Sequence, residues 1–279
     1  MITAKIVADS VSIDNGNRIT TFLLTYPRFI HSEFMTHRVF SRNAASSRAI
    51  PLKKMISNIR ENTAGPVHWG AEQKGMQSGG EVENKAEAQK IWAEAAESAI
   101  GYAEKLAGIG LHKSICNRVI EPFAHMTTLM TSTQMVNFFN LRAHKDAQPE
   151  FQELAYQMLE LWLDNKPVEK KVDEWHLPFA DKYVSEGLTE EQLLKIVVAR
   201  AARTSYLNME NEIDHQKDYD LHDRLLASKH LSPFEHAARA DGAYWFDSDR
   251  GNFDGWIQYR KNFPSENMIE LTAQRRTHA

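Results

Sequence analysis

Cys116 is the only cysteine in 279 residues. No disulfide can form within the chain, and a zinc site built on cysteines is excluded. The fold must be held by buried apolar surface, and a hydrophobic content of 42% in a chain this long supplies a real core, in one large domain or two small ones. The lone thiol fits a reducing compartment, and a cytoplasmic location is expected. No run of about 18 uncharged apolar residues occurs, so no membrane span and no membrane partner are expected. The segment Met1–Asp9 carries an acid and no long apolar stretch, unlike a signal peptide. A formal net charge of -4 argues against a dedicated nucleic-acid binder, although a few local arginines are enough to hold a small anion.

The segment Arg18–Leu24, rich in branched and aromatic residues, reads as a strand. Phe29–Phe40 reads as a helix with Phe29, Ile30, Phe34 and Met35 on one side, and Lys53–Arg60 as a second, short one. Thr63–Gly80 holds five of the 13 glycines, with Pro66 and an exposed-looking Trp69. It reads as a surface loop or a mobile lid. Glu83–Leu106 has strong helix propensity. Ser114–Asn140 reads as a buried helical region interrupted near Pro122. Pro149–Leu163 reads as an amphipathic helix with Phe151, Leu154, Met158, Leu161 and Trp162 inward, and Lys166–Asp173 as a linker. Thr189 and Gln192 form a capping box, and Ser232-Pro233-Phe234-Glu235 reads as a second. Tyr244–Phe246 reads as a strand and Asp247–Asp254 as a turn. No internal repeat is present.

Four polar constellations stand out. Thr36 to Arg48 offers His37, Arg38, Arg42, Arg48, Ser41, Ser46, Ser47 and Asn43 without a glycine. It is either a solvated turn or an anion site built from Arg forks and hydroxyls. Asn137 to Arg142 ends a long apolar segment, so Arg142 needs a partner, whether a ligand or a protein carboxylate such as Asp146 or Glu150. Arg118 stands in apolar surroundings near Pro122. Cys116 beside Ile115 reads as a small buried hydrophobe, while Lys113 and Arg118 are cationic neighbours that would activate a thiolate. His230 to His236 reads as a capped helix start, which on its own suits an anion. The 12 histidines show no metal-ligand spacing, so no metal site is expected.

Together these elements resemble the flavin-dependent thymidylate synthases. The family signature R-H-R-x-x-S-x-N-E-x-S-x-R-Y is matched at His37, Arg38, Ser41, Asn43, Ser46 and Arg48, and departed from at Thr36, Ala44 and Ala49. An R-x-x-x-P and N-F-x-N-L-R…A-Q-x-E pair is matched at Arg118, Pro122, Asn137, Asn140, Leu141, Arg142, Ala147, Gln148 and Glu150. An H-x-S-P-F-E-H element is matched at His230–His236, and an A-A-R-x-S-Y element at Ala201–Tyr206. In usual members these last two come first, so the order here resembles a circular permutation, one that places Ser232–His236 beside the Arg18–Leu24 strand and the His37–Arg48 region.

The resemblance implies an α+β fold, a mixed or antiparallel sheet packed with long helices in a single domain spanning 1–279. It implies FAD as cofactor, methylenetetrahydrofolate and NADPH as co-substrates, dUMP as the nucleotide and a homotetramer with flavin sites between subunits. Arg142 corresponds to the residue that polarises the pyrimidine ring, facing the base without a fully neutralising protein carboxylate. Arg48, Ser46, Arg118 and Glu33 fall on nucleotide positions. His37, Arg38, Asn43, Asn137, Ser232 and His230 fall on flavin positions, Ser232 also as a helix cap. Glu33 in place of glutamine, and Ala44 in place of glutamate, leave open another pyrimidine nucleotide such as dCMP, methylated or hydroxymethylated. A nucleotide-binding homologue without catalysis is the remaining alternative.

Overall fold

The computed structural model describes residues 1–183, 186–206, 214–242 and 250–263. Five strands, β1 (Thr3–Ser12), β2 (Arg18–Pro27), β3 (Ser41–Ala44), β4 (His125–Ser132) and β5 (Val168–Lys170), make the larger sheet in the order β3-β4-β2-β1-β5. Its pairings are antiparallel except β5, which runs parallel to β1. A smaller antiparallel sheet joins β6 (Trp175–His176), β7 (Ala238–Ala240) and β8 (Trp256–Gln258). The helices are α1 (His31–Phe34), α2 (Leu52–Glu61), α3 (Lys85–Gly108), α4 (Lys113–Ile120), α5 (Val136–Arg142), α6 (Pro149–Asp164), α7 (Glu190–Arg203) and α8 (His215–Ala227). This is the α+β class that the sequence predicts. Among the described residues no helix is long and apolar enough to cross a membrane.

The period-two pattern of β2 divides the molecule into layers. Phe22, Leu24 and Tyr26 point to one face, where they join Phe138, Phe151, Leu154 and Met158 of α5 and α6 in an aromatic core. Each such side chain, fully buried, contributes roughly 1.5–3 kcal/mol. Ile19 points to the opposite face and packs with Ala238, Ala240, Phe253 and Trp256 of the smaller sheet. Thr21 shares that second face and is completely buried. Its hydroxyl lies 2.7 Å from Thr131 Oγ1 and 2.8 Å from His176 Nε2. Thr131 in turn lies 2.8 Å from His236 Nδ1, and His176 Nδ1 lies 2.9 Å from Ser10 Oγ. A row of hydroxyls is thus capped by two imidazoles from the overlying layer. Burial pushes both histidines down to about 3, with further contributions at His176 from Lys170 and His236.

Several expectations need correction. The Phe29–Phe40 helix is cut to α1 preceded by a 3₁₀ turn at Arg28–Ile30, followed by turns. Ile30, Phe34, His37 and Phe40 keep helical spacing and burial, but Arg42 donates to the carbonyls of Phe34 (3.0 Å) and His37 (3.1 Å) and fixes a non-helical path. The region Ser114–Asn140 contains β4, because Met126, Thr128 and Met130 alternate with Thr127, Leu129 and Thr131 across a sheet buried on both faces. Lys166–Asp173 includes β5, whose backbone completes the edge beside β1. On α6, Leu161 is 37% exposed while Trp162 is partly buried, with Arg18 stacked over its ring at 4.2 Å. Trp69 is partly buried edge-on to Trp92, 6.2 Å away, and the Thr63–Gly80 loop is tied by Val67 N–H to Glu150 (2.8 Å) and by Gln77 to Asp146 (3.0 Å). The Thr189–Gln192 capping box forms, but Ser232–Glu235 is a single 3₁₀ turn whose cap, Leu231, makes no side-chain bond. Tyr244–Phe246 and 247–249 lie outside the described residues, and 250–254 is turn-like. Cys116 is fully buried, as a small hydrophobe is.

Two predictions follow from this packing. The folded-state values of His176 and His236 lie below the ordinary 6.5, so the unfolded chain takes up protons first. Their contribution to stability is complete above about pH 6.5 and is lost as pH falls toward about 3, at up to roughly 1.4 kcal/mol per pH unit per histidine. Denaturant midpoints measured from pH 7 to pH 4 should fall steadily; a flat profile contradicts neutral burial. Asp218, fully buried, bridges Arg200 (3.1 Å) and Arg203 (2.5 Å) between α8 and α7. Asp218→Ala should cost about 3–5 kcal/mol in urea denaturation by removing the carboxylate both guanidiniums share.

Candidate functional site

The 37–48 segment presents two different groups of polar residues. The first forms where α1 meets the C-terminal turn of α5. Arg142 Nε donates to His37 Nε2 at 3.1 Å, and Arg142 Nη1 donates to Glu33 Oε2 at 3.0 Å. The guanidinium lies 4.7 Å from the centroid of the Phe151 ring. His37 is buried, stacked on Phe40 and edge-on to Phe138. Burial, then Arg142 and Arg42, push its imidazole down to about 4, so it is neutral and accepts from Arg142. The expectation that no protein carboxylate balances Arg142 is corrected: Glu33 does so, not Asp146 or Glu150. Glu150 is committed elsewhere, accepting from Val67 N–H and Gln148. The Glu33 and Arg142 side chains are 39% and 21% exposed, so this pair is weak and exchangeable rather than a structural lock.

The second group lines a cleft of ≈ 1420 Å³ between the 43–49 segment, the start of α4 and one face of α8. It contains four of the residues singled out from sequence: Asn43, Ser46, Arg48 and His230. The turn that carries Arg48 is fixed from below. The buried Asn117 amide donates to Ser47 O (2.6 Å) and Ile50 O (3.0 Å), Lys113 Nζ donates to Ala49 O (2.7 Å), and Ser46 N–H donates to Ser205 O (3.0 Å). Arg203, Lys217, Arg224 and Lys113 add cations, against Asp220 among the lining residues, with Arg203 also shared with the buried Asp218 and Lys217 lying 3.0 Å from Asp214. Such an excess in a concave site favours a phosphate-bearing ligand. Of these four, Arg203 lies in the A-A-R-x-S-Y element and Lys113 stands near Cys116 in the sequence, whereas Lys217 and Arg224 belong to no motif. For α8 a signal existed: Lys217, Leu221, Arg224 and Ser228 recur at helical spacing, which puts them on one face.

The remaining residues stand apart from the cleft. Arg118 is half-exposed and donates to Glu121 at 2.9 Å, while Arg28 meets the same carboxylate at 3.1 Å. Arg38 and Asn137 are exposed, and so is Ser232, whose carbonyl faces the Asn43 amide at 3.2 Å. Thr36 hydrogen-bonds Glu33 O at 2.7 Å. Ser232–His236 packs against β3, within the His37–Arg48 region, through the Asn43 contacts, and its direct strand contact beyond that is His236 to Thr131 of β4, the neighbour of the Arg18–Leu24 strand in the sheet. Among the described residues no group of His, Cys, Asp and Glu is arranged to hold a metal ion.

A family model described as thymidylate synthase complementing protein matches residues 18–168. The crystal structure of a UMP/dUMP methylase, PolB from Streptomyces cacaoi, bound with 5-Br dUMP is similar at 18% identity, covering 58% of this chain and 90% of that one, with a TM-score of 0.48. The same methylase bound with 5-Br UMP gives 21% identity, 58% and 88% coverage and a TM-score of 0.47. No curated protein matches the chain.

The Arg142 contact makes a direct prediction. Arg142→Met removes the cation that disfavours a protonated His37, yet leaves the burial that contributes more. The His37 pKa, followed by NMR titration, should rise from about 4 and stay below 6.5.

Proposed function

The chain belongs to the thymidylate synthase complementing protein family, and from that membership we propose that it is a flavin-dependent enzyme that methylates dUMP to dTMP. Methylenetetrahydrofolate is the one-carbon donor and NADPH the source of reducing equivalents in this reading. The observation that carries it is the conjunction of a cation-lined cleft with an arginine held beside a neutral imidazole on the neighbouring turn.

The donor set fits a flavin dinucleotide: a diphosphate needs several cations and N–H donors, and the cleft offers Arg48, Lys113, Arg203, Lys217 and Arg224. When bound, the flavin supplies the redox chemistry that no side chain here can supply. Asn43 and His230 would hold it from the cleft. His37, Arg38, Asn137 and Ser232, outside the cleft, would contact it in a homotetramer whose sites draw on more than one copy. Ser46, Arg48 and Arg118 would bind the nucleotide, the arginines on its phosphate. Arg142 would meet a ring carbonyl, where a fixed cation stabilises charge that develops as C5 becomes nucleophilic. Glu33 would release it, since an exchangeable pair yields to a better acceptor at small cost.

A permuted chain order belongs to the same proposal. The family match ends at residue 168, yet Ser205 bonds the Ser46 backbone and Ser232 faces Asn43, so the late elements support the same site as the early ones. Residues 63–80 would then act as an appended loop beside α6. A second reading rests on Glu33. A carboxylate beside Arg142 would accept from the 4-amino group of cytosine, which favours dCMP.

Purified protein should carry a yellow flavin spectrum and turn over dUMP with methylenetetrahydrofolate and NADPH. Arg142→Ala should lower turnover by about 10²–10³-fold, with the melting temperature and flavin spectrum kept. Arg142→Lys should recover little, because it lacks the planar fork. Near-normal turnover in Arg142→Ala removes the residue from the chemistry. Product formation from dCMP and not dUMP moves the assignment to the second reading.

A further inference from the structure

Two completely buried histidines, His176 and His236, take no part in the chemistry above. Hydrogen-bond accounting assigns each of them a role. The inner atom of the Asn43 side-chain amide has three neighbours: Ser232 O at 3.2 Å, Arg42 O at 3.1 Å and His236 Nε2 at 3.2 Å. Two of these are carbonyl oxygens, which only accept, so the inner atom is the amide nitrogen; its two protons are shared among the three neighbours, and because it cannot accept, the His236 Nε2 that faces it carries no proton. The neutral His236 ring then carries its proton on Nδ1 and donates to Thr131 Oγ1. Thr131 has one hydroxyl proton, and Thr21 Oγ1 is its remaining partner among the described residues. Thr21 must therefore donate to His176 Nε2, and His176 Nδ1–H to Ser10 Oγ. Every bond points the same way, from β3 to β1.

We propose that this one-directional chain, Asn43 to His236, Thr131, Thr21, His176 and Ser10, is a positioning device that locks the Asn43 amide with its nitrogen inward. The carbonyl oxygen is left as the amide atom offered to the cleft that Asn43 lines. The cleft thereby presents a fixed acceptor to its ligand and selects a ring lactam N–H, a group shared by uracil and the flavin ring. His236 and His176 act through Asn43 and touch no substrate. Conduction of protons is a poor alternative, because the chain ends on a carboxamide, which does not pass a proton on. The inference rests on the reading of the cleft as a nucleotide or flavin site, but its polarity can be tested without that reading.

Long-range 1H–15N correlation on histidine-labelled protein reports both tautomers directly. His176 and His236 should each show a protonated Nδ1 at neutral pH; a protonated Nε2 at His236 overturns the proposal. Thr131→Val keeps shape and strand propensity but breaks the chain, and Thr131→Ser restores it. Binding of FAD and of dUMP should be measured separately for each variant. The valine variant should weaken one of the two by about tenfold, which names the ligand that Asn43 meets, and the serine variant should stay within about twofold of wild type. Unchanged affinity for both ligands in a folded Thr131→Val protein overturns the positioning role. If wild-type protein binds neither ligand, the functional reading falls, while the tautomers still decide the polarity of the chain.

Discussion

A sheet face that carries Ser10, Thr21 and Thr131 cannot be covered by hydrocarbon alone, because each buried hydroxyl then loses its water without replacement. The second layer is constrained by this. It brings His176 and His236 over the hydroxyls and places Ala238, Ala240 and Trp256 over Ile19 alongside. Apolar contact supplies most of the attraction, and the imidazoles fix the register, since a histidine displaced by one strand position would leave two groups unsatisfied. Residues far apart in the chain, Ser10 and His176 or Asn43 and His236, are made neighbours by that requirement.

The same requirement shapes the candidate site. The aromatic core on the other face of the sheet holds His37 against Phe138 and Phe151, which aligns Arg142 with Glu33. The polar layer holds Asn43, and with it the strand that leads into Ser46 and Arg48. The guanidinium of Arg42 joins the two, since it fixes the carbonyls of Phe34 and His37 while its own carbonyl faces the Asn43 amide. One short segment is therefore anchored by both layers, and its polar residues are distributed between the α5 side and the cleft.

Local signals were legible where they acted alone. The Thr189 capping box, the amphipathic α6 and the Ala-rich α3 form as their sequences predict, because propensity and burial agree there. β4 was hidden because a strand buried on both faces, Met126 to Ser132, has no polar edge to separate it from a buried helix. The Phe29–Phe40 stretch misled for the opposite reason: it has helical spacing, but Arg42 uses two of its carbonyls. The four family-like motifs made Arg142, Asn43, Ser46, Arg48 and His230 visible. They could not show that Glu33 pairs with Arg142, nor that Lys217 and Arg224 face Arg48, because those pairings exist only after α1 meets α5 and α8 meets the 43–49 turn.

The irregularity in β1 between Ile6 and Ala8 has a consequence for how this chain tolerates change in length. Ahead of it Ile2, Ala4 and Ile6 belong to the aromatic core; beyond it Asp9 meets Arg18 and Asn165 on the α6 side, and Ser10 meets His176 on the other. The extra residue resets the alternation, so one strand serves two layers with different phases. Val7 is the residue without a partner on β2, so its loss would leave Ile6, Ala8, Asp9 and Ser10 opposite Phe22, Thr21, Thr20 and Ile19 in plain alternation. Asp9 would stay on the α6 side and Ser10 on the imidazole side, and only the local bend would go. The strand therefore has slack at this one point, in length as well as in side chain.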